Sequence, residues 1–131
     1  MSKQNAQSFL IIGALLGLTG VLLGAFGAHA LKEILVLNAR LEVWKTAVAY
    51  QMWHALLILF IGQTWQASRL RTVALASLSI GVLLFSGSLY WIALDAPRWV
   101  GPLTPVGGLI LIMGWSFIIV VALREKRFPR R

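Results

Sequence analysis

The chain has 131 residues, of which 59% are apolar and 12% charged, and its 12 Lys and Arg against 4 Asp and Glu leave a net charge of +8. Soluble domains run at roughly 45–50% apolar and about 25% charged, so this composition, with a mean hydropathy of +0.81, excludes a disordered chain, a coiled coil and a water-soluble globular domain. There is no cysteine, which also excludes disulfides, thiolate metal sites, cysteine nucleophiles and iron–sulfur clusters. What remains is an all-α integral membrane protein, a single transmembrane domain over residues 1–131.

A bilayer core of about 30 Å takes roughly 20 apolar residues in a helix rising 1.5 Å per residue. Four uncharged stretches meet that length, about 9–31, 46–65, 72–94 and 103–123. They are apolar all round and lack the period-two alternation of barrel strands. The expected architecture is therefore a four-helix bundle in the membrane. The links between spans are short, so successive spans pack as antiparallel neighbours. The first span, with Lys3 before it and Ala28-His29-Ala30 at its end, also has the outline of a signal peptide. Its apolar run exceeds the usual roughly 7–15 residues, and it is read as a retained helix.

The link between the first two spans carries Ile34, Leu37, Leu41 and Trp44 at spacings of three, four and three, among charged residues. That spacing predicts a short amphipathic helix lying in the interface. Cations set the orientation. The N-terminus, the second link and the tail hold Lys3, Arg69, Arg71, Arg124, Lys126, Arg127, Arg130 and Arg131, while the other side holds Lys32, Arg40, Lys45 and Arg98. Both termini are expected to be cytoplasmic, in a cell inner membrane. The basic tail reads as a topology signal with an attraction to anionic lipid. No binding fold surrounds Phe128, and no nucleic-acid partner is expected.

Small residues indicate how the helices meet. Gly13, Gly17, Gly20, Gly24 and Gly27 form a stripe down the first span, with the small-xxx-small spacing that lets membrane helices approach closely. Its partner is another span or a second copy of the chain. A weaker stripe, Ala74, Ser77, Gly81 and Ser88, runs down the third span. At the entry to the fourth, Thr104 is the expected N-cap with Pro105 at the first helical position.

Polar residues inside a membrane are costly and therefore informative. His29, Tyr50, Gln51, His54, Ser86, Ser88, Tyr90 and Asp95 all fall in the half of the bundle away from the termini. They form a hypothetical polar cluster. One reading is a hydrogen-bond network that fixes helix register. The other is a site for an ion, a proton or a small solute, with His29, Gln51 and His54 as its working groups. No catalytic residues, cofactor-binding residues or metal-ligand spacings are discernible. Ser86-Gly87-Ser88 lacks the flanks of a nucleophile elbow, and no Lys follows the glycines after Pro105 as in a phosphate loop. The chain is not expected to be an enzyme or to carry a cofactor.

Several runs in combination resemble a known family. They are Gly24-Ala25-Phe26-Gly27-Ala28-His29-Ala30-Leu31-Lys32, Trp44-Lys45-Thr46-Ala47, Tyr50-Gln51, His54-Ala55-Leu56, Phe85-Ser86-Gly87-Ser88-Leu89-Tyr90, Thr104-Pro105-Val106-Gly107-Gly108 and Gly114-Trp115. Together they resemble the YgdD-like family of small bacterial inner-membrane proteins (domain of unknown function 423). The resemblance spans nearly the whole chain and implies a four-span protein of the cytoplasmic membrane. It implies no reaction, substrate or cofactor. The short first link and the basic tail look less typical of that family. Two functions remain open. One is a structural or accessory membrane protein that packs through its glycine-rich faces, against itself or a larger complex. The other is an oligomeric channel or transporter.

Overall fold

A computed structural model describes residues 3–65, 68–95 and 97–125, and all regular structure among them is helical. The basic tail beyond residue 125 lies outside the described residues. The order is α1 (Lys3–Ala28), α2 (Lys32–Leu37), α3 (Leu41–Thr64), α4 (Arg69–Ala93), a short 3₁₀ turn (Arg98–Val100) and α5 (Leu103–Glu125). Three helices contain stretches long and apolar enough to cross a membrane: Gln7–Ala28, Arg69–Ala93 and Leu103–Arg124. The fourth long helix, α3, is lowered in apolarity by Tyr50, Gln51 and His54.

The helices pack in chain order, α1 on α3, α3 on α4 and α4 on α5, with α1 only brushing α4. Each neighbour runs antiparallel, because early residues of one face late residues of the next. Gly13 of α1 lies against Leu59, and Gly27 lies against Trp44. The glycine stripe is thereby assigned to a partner within the chain. Gly13, Gly20 and Gly27, seven apart, meet Leu59, Met52 and Trp44 of α3. Gly24 only touches Val48, and Gly17 faces open space. On the opposite side of α1, Ile11, Leu15, Leu18 and Leu22 are exposed. A water-soluble protein would bury such a row, whereas lipid accepts it.

The closest backbone approach is between α4 and α5. A Cβ on Gly107 would strike the backbone of Phe85, and one on Gly81 or Gly114 would meet Leu111 or Leu78. The third-span stripe thus lies against α5. Two apolar cores result. One joins Leu16, Ile58, Leu75, Leu78 and Leu111 at mid-bundle. The other joins Leu35, Trp44, Ala47, Tyr90 and Ala93 at the end carrying α2.

Local boundaries depart from expectation at three places. First, α1 stops at Ala28, with the Leu31 amide bonded back to the Phe26 carbonyl at 2.8 Å, so His29 is outside the helix. Second, the link is not one amphipathic helix through Trp44. Ala39 takes a positive φ of 53°. The Arg40 and Ala39 amides close on the Leu35 and Val36 carbonyls, and that Schellman-type turn ends α2. Leu41 and Trp44 belong to α3 instead, Ile34 and Leu37 point outward, and Leu35 is the buried anchor. Third, α5 already begins at Leu103. Thr104 is therefore inside its first turn rather than the cap, and Pro105 still sits where no amide donor is needed.

At the other end, Ser68 caps α4 by accepting from the Arg71 amide at 3.1 Å. Arg71 is buried, at 3% exposure. Its guanidinium donates to the Trp65 carbonyl at 2.7 Å and the Gly62 carbonyl at 3.0 Å. These are orphan acceptors at the C-terminus of α3, where a cation is also favoured by the helix dipole.

Candidate functional site

Gln51 is the polar centre of the molecule. It sits midway along α3 and is buried. Its Nε2 donates to the Leu16 carbonyl and to the Thr19 hydroxyl of α1, both at 2.8 Å. Its Oε1 accepts from the Tyr90 hydroxyl of α4 at 2.9 Å. A carbonyl can only accept, so the amide orientation is forced by its partners. One side chain thereby ties three helices together. The Trp44 indole extends the tie, donating to the Leu23 carbonyl at 2.9 Å and meeting the Tyr90 ring edge-on at 4.7 Å.

His54, one turn further along α3, makes a separate link. Its Nδ1 lies 2.7 Å from the Tyr50 carbonyl, and the Trp115 indole of α5 donates to Nε2 at 3.2 Å. The carbonyl demands a donor at Nδ1 and the indole an acceptor at Nε2. That is the neutral tautomer with both nitrogens committed. Tyr50 fills the space beside it against Phe85, with ring centroids 4.6 Å apart. Ser88 shares a hydrogen bond of 2.7 Å with Thr104, joining α4 to α5.

Four of the sequence-predicted residues, Tyr50, Gln51, His54 and Tyr90, therefore lie together around α3, and Ser88 lies on the α4–α5 seam. Ser86 is buried beside Gln51 and Tyr90 without a hydrogen-bond partner. His29 and Asp95 stand apart from this group. His29 is exposed on the outer side of the α1–α2 turn, over a hollow with Leu22, Ala25 and Phe26. Asp95 is exposed with a φ of 61°, ending α4 as its left-handed cap. Among the described residues no three His, Cys, Asp or Glu side chains converge on a metal-sized site.

Three participants were not among the predicted residues. Thr19 is a lone hydroxyl in an apolar run, Trp115 carries no polar signal on a helix wheel, and Arg71 read as a link cation. Thr19 and Trp115 act through partners 32 and 61 residues away, and Arg71 through carbonyls across the link; helical spacing marks none of these.

Apolar helices with lipid-compatible outer faces and a hydrogen-bonded interior define a helical membrane protein. A family model described as "Protein of unknown function (DUF423)" matches residues 23–108, and the chain belongs to that family. Among its relatives are the UPF0382 membrane protein SH2409 of Staphylococcus haemolyticus and the UPF0382 inner membrane protein YgdD of Escherichia coli. The first is 42% identical over 113 residues, covering 86% of this chain and 92% of that protein. The second is 38% identical over 130 residues, covering 94% and 95%. A UPF0382 membrane protein of Staphylococcus epidermidis is 38% identical over 117 residues, covering 88% and 95%. No solved structure matches the chain.

Proposed function

We propose that the chain is a four-span protein of the cytoplasmic membrane, with both termini cytoplasmic, acting as a structural or accessory component rather than as a conduit or an enzyme. The observation that carries this reading is that the two most polar side chains of the interior, Gln51 and His54, are satisfied within the protein. Gln51 spends its donors and acceptor on α1 and α4, and His54 spends both nitrogens on Tyr50 and Trp115. A proton or ion relay needs groups that can exchange partners, and these hold helix positions instead. The α3 helix counts as a span because its outward residues, Trp53, Leu56 and Phe60, are apolar. Its polar residues face protein. Orientation is supported by eight cations on the side of the termini against four on the other. The name of the Escherichia coli relative supports the inner membrane.

The glycine stripe is occupied by α3, so a partner would meet the outer faces of α1 and α5. Those faces present Ile11, Leu15, Leu18 and Leu22 on one side and Leu109, Ile112 and Ile119 on the other. The test has two parts. The chain has no cysteine, so single cysteines can be placed at will. In intact cells, Asn38→Cys is expected to react with an impermeant maleimide from outside and Ser68→Cys only after permeabilisation; the reverse pattern overturns the topology. In liposomes the purified protein is expected to give no proton or cation flux above empty vesicles. A flux that His54→Ala abolishes overturns the accessory reading in favour of the channel.

A further inference from the structure

Among the described residues two buried side-chain polar atoms lack a hydrogen-bond partner, the Nε of Arg71, whose guanidinium is otherwise bonded, and the hydroxyl of Ser86. The hydroxyls of Thr19, Thr46, Thr64, Ser79 and Ser116 each donate to the carbonyl four residues back. That is the ordinary resting place of a helical hydroxyl. Ser86, in the last third of α4 and only 2% exposed, has no partner. It lines a cavity of about 190 Å³ between α1, α3 and α4, with Thr19, Gln51 and Tyr90 as the other polar walls. A single water occupies roughly 30 Å³ in the liquid, so the space exceeds one trapped water. It lies where α1 and α4 barely touch, and its rim is formed by exposed Leu83 and by Gly87. A Cβ on Gly87 would meet nothing within 4 Å, so no helix packing within the chain calls for glycine there. A glycine inside a helix costs about 1 kcal/mol relative to alanine.

From these features we propose that the cavity is a lateral binding site for an uncharged lipid whose head carries a hydroxyl, of the diacylglycerol or long-chain-alcohol class. The chemistry of the walls selects it. Thr19, Gln51, Ser86 and Tyr90 bring hydroxyl and amide groups to the walls, no cation or carboxylate lines them, and the rest of the lining is apolar. A phosphate head would find no counter-charge. The depth agrees. Ser86 is seven residues short of the end of α4 at Ala93, about 10 Å along the axis. Charged heads stay at the interface, while a lone hydroxyl sinks below it. The lipid hydroxyl would pair with the Ser86 hydroxyl and donate to the spare lone pair of the Tyr90 oxygen, leaving the Gln51–Tyr90 bond intact, and its chain would leave past Leu83 and Gly87. The proposal rests on the membrane placement above, but not on the accessory role.

The test is native mass spectrometry of the full chain released from lipid discs containing dioleoylglycerol and dioleoyl phosphatidylglycerol. The wild type is expected to retain one dioleoylglycerol in preference to the phospholipid. Ser86→Ala should weaken retention by about fivefold, the worth of one hydrogen bond. Gly87→Leu, which blocks the rim without touching the polar floor, should weaken it by about tenfold or more. Leu83→Trp, at an exposed position, is the second rim variant should Gly87→Leu fail to fold by circular dichroism. Equal retention in wild type and rim variants overturns the proposal, as does preference for the phospholipid. So does a lipid-free chain that Ser86→Val merely stabilises, which would mark a packing defect. A dimer that Gly87→Leu dissolves would assign the groove to a second copy and equally overturn it. The cysteine labelling above, run in parallel in intact cells, distinguishes a wrong topology from an empty groove.

Discussion

Gln51→Leu offers the sharpest test of how the helices are held. The two side chains have similar volume, so the substitution removes hydrogen bonds with little cavity term. Three bonds are lost, to the Leu16 carbonyl, the Thr19 hydroxyl and the Tyr90 hydroxyl. At about 0.6 kcal/mol each for side chains inside membranes, the loss is about 2 kcal/mol. The penalty is not shared equally among the partners. The Thr19 hydroxyl keeps its bond to the Leu15 carbonyl, whereas Tyr90 loses its hydroxyl's acceptor. Tyr90→Phe alone leaves Gln51 Oε1 unpaired and should cost about 1 kcal/mol. The double variant Gln51→Leu/Tyr90→Phe should then cost less than the sum of the two by about 0.6–1 kcal/mol, because one bond is counted twice. Reversible unfolding in mixed micelles, followed by far-UV circular dichroism, measures all three. Additivity to within about 0.3 kcal/mol would refute the idea that Gln51 and Tyr90 act as a unit.

Other substitutions separate glycines that pack from one that does not. Gly107→Ala places a methyl against the Phe85 backbone and should destabilise by about 1–3 kcal/mol; Gly17→Ala meets nothing and should stabilise by up to about 1 kcal/mol, both read from the same unfolding curves. Ala39→Gly relieves a left-handed conformation at an exposed turn and should gain about 1 kcal/mol; a loss would refute the assigned turn. Arg71→Leu removes two bonds to the end of α3 and should cost about 2 kcal/mol or more, with hydrogen exchange speeding up selectively around residues 59–62. Uniform acceleration along the chain would show that Arg71 is not a local cap.

Hydrophobic length made the long helices readable, since a spanning helix has to be apolar over about 20 residues. The same signal was blind to where α1 ends. Ala28, His29 and Ala30 are as uncharged as the helix before them, and only the backbone turn at Phe26–Leu31 stops it. It was blind also at Ala39, a residue type that rarely takes positive φ and so gives no sign of a break. The amphipathic spacing through Trp44 matched a wheel that the chain never forms. The glycine stripe was legible as a packing face but not as to its partner, because approach distance depends on the opposing residue. Gly17 and Gly20 look alike in sequence, yet Met52 faces only the second.

Polarity followed a rule specific to lipid. In water, the most enclosed element of a domain is its most apolar one. Here α3, flanked by α1 and α4 and one of the two inner helices of the row, is the long helix that falls short of a membrane span by apolarity. The reason is that lipid, unlike water, cannot satisfy a hydrogen bond. Gln51 and His54 are tolerated only because α1 and α4 offer the Leu16 carbonyl and the Tyr90 hydroxyl, and α5 reaches His54 with the Trp115 indole. The outer helices have lipid on one side and must be apolar there. A residue that lowers the hydropathy of a span is therefore tolerated where that span has protein on both sides.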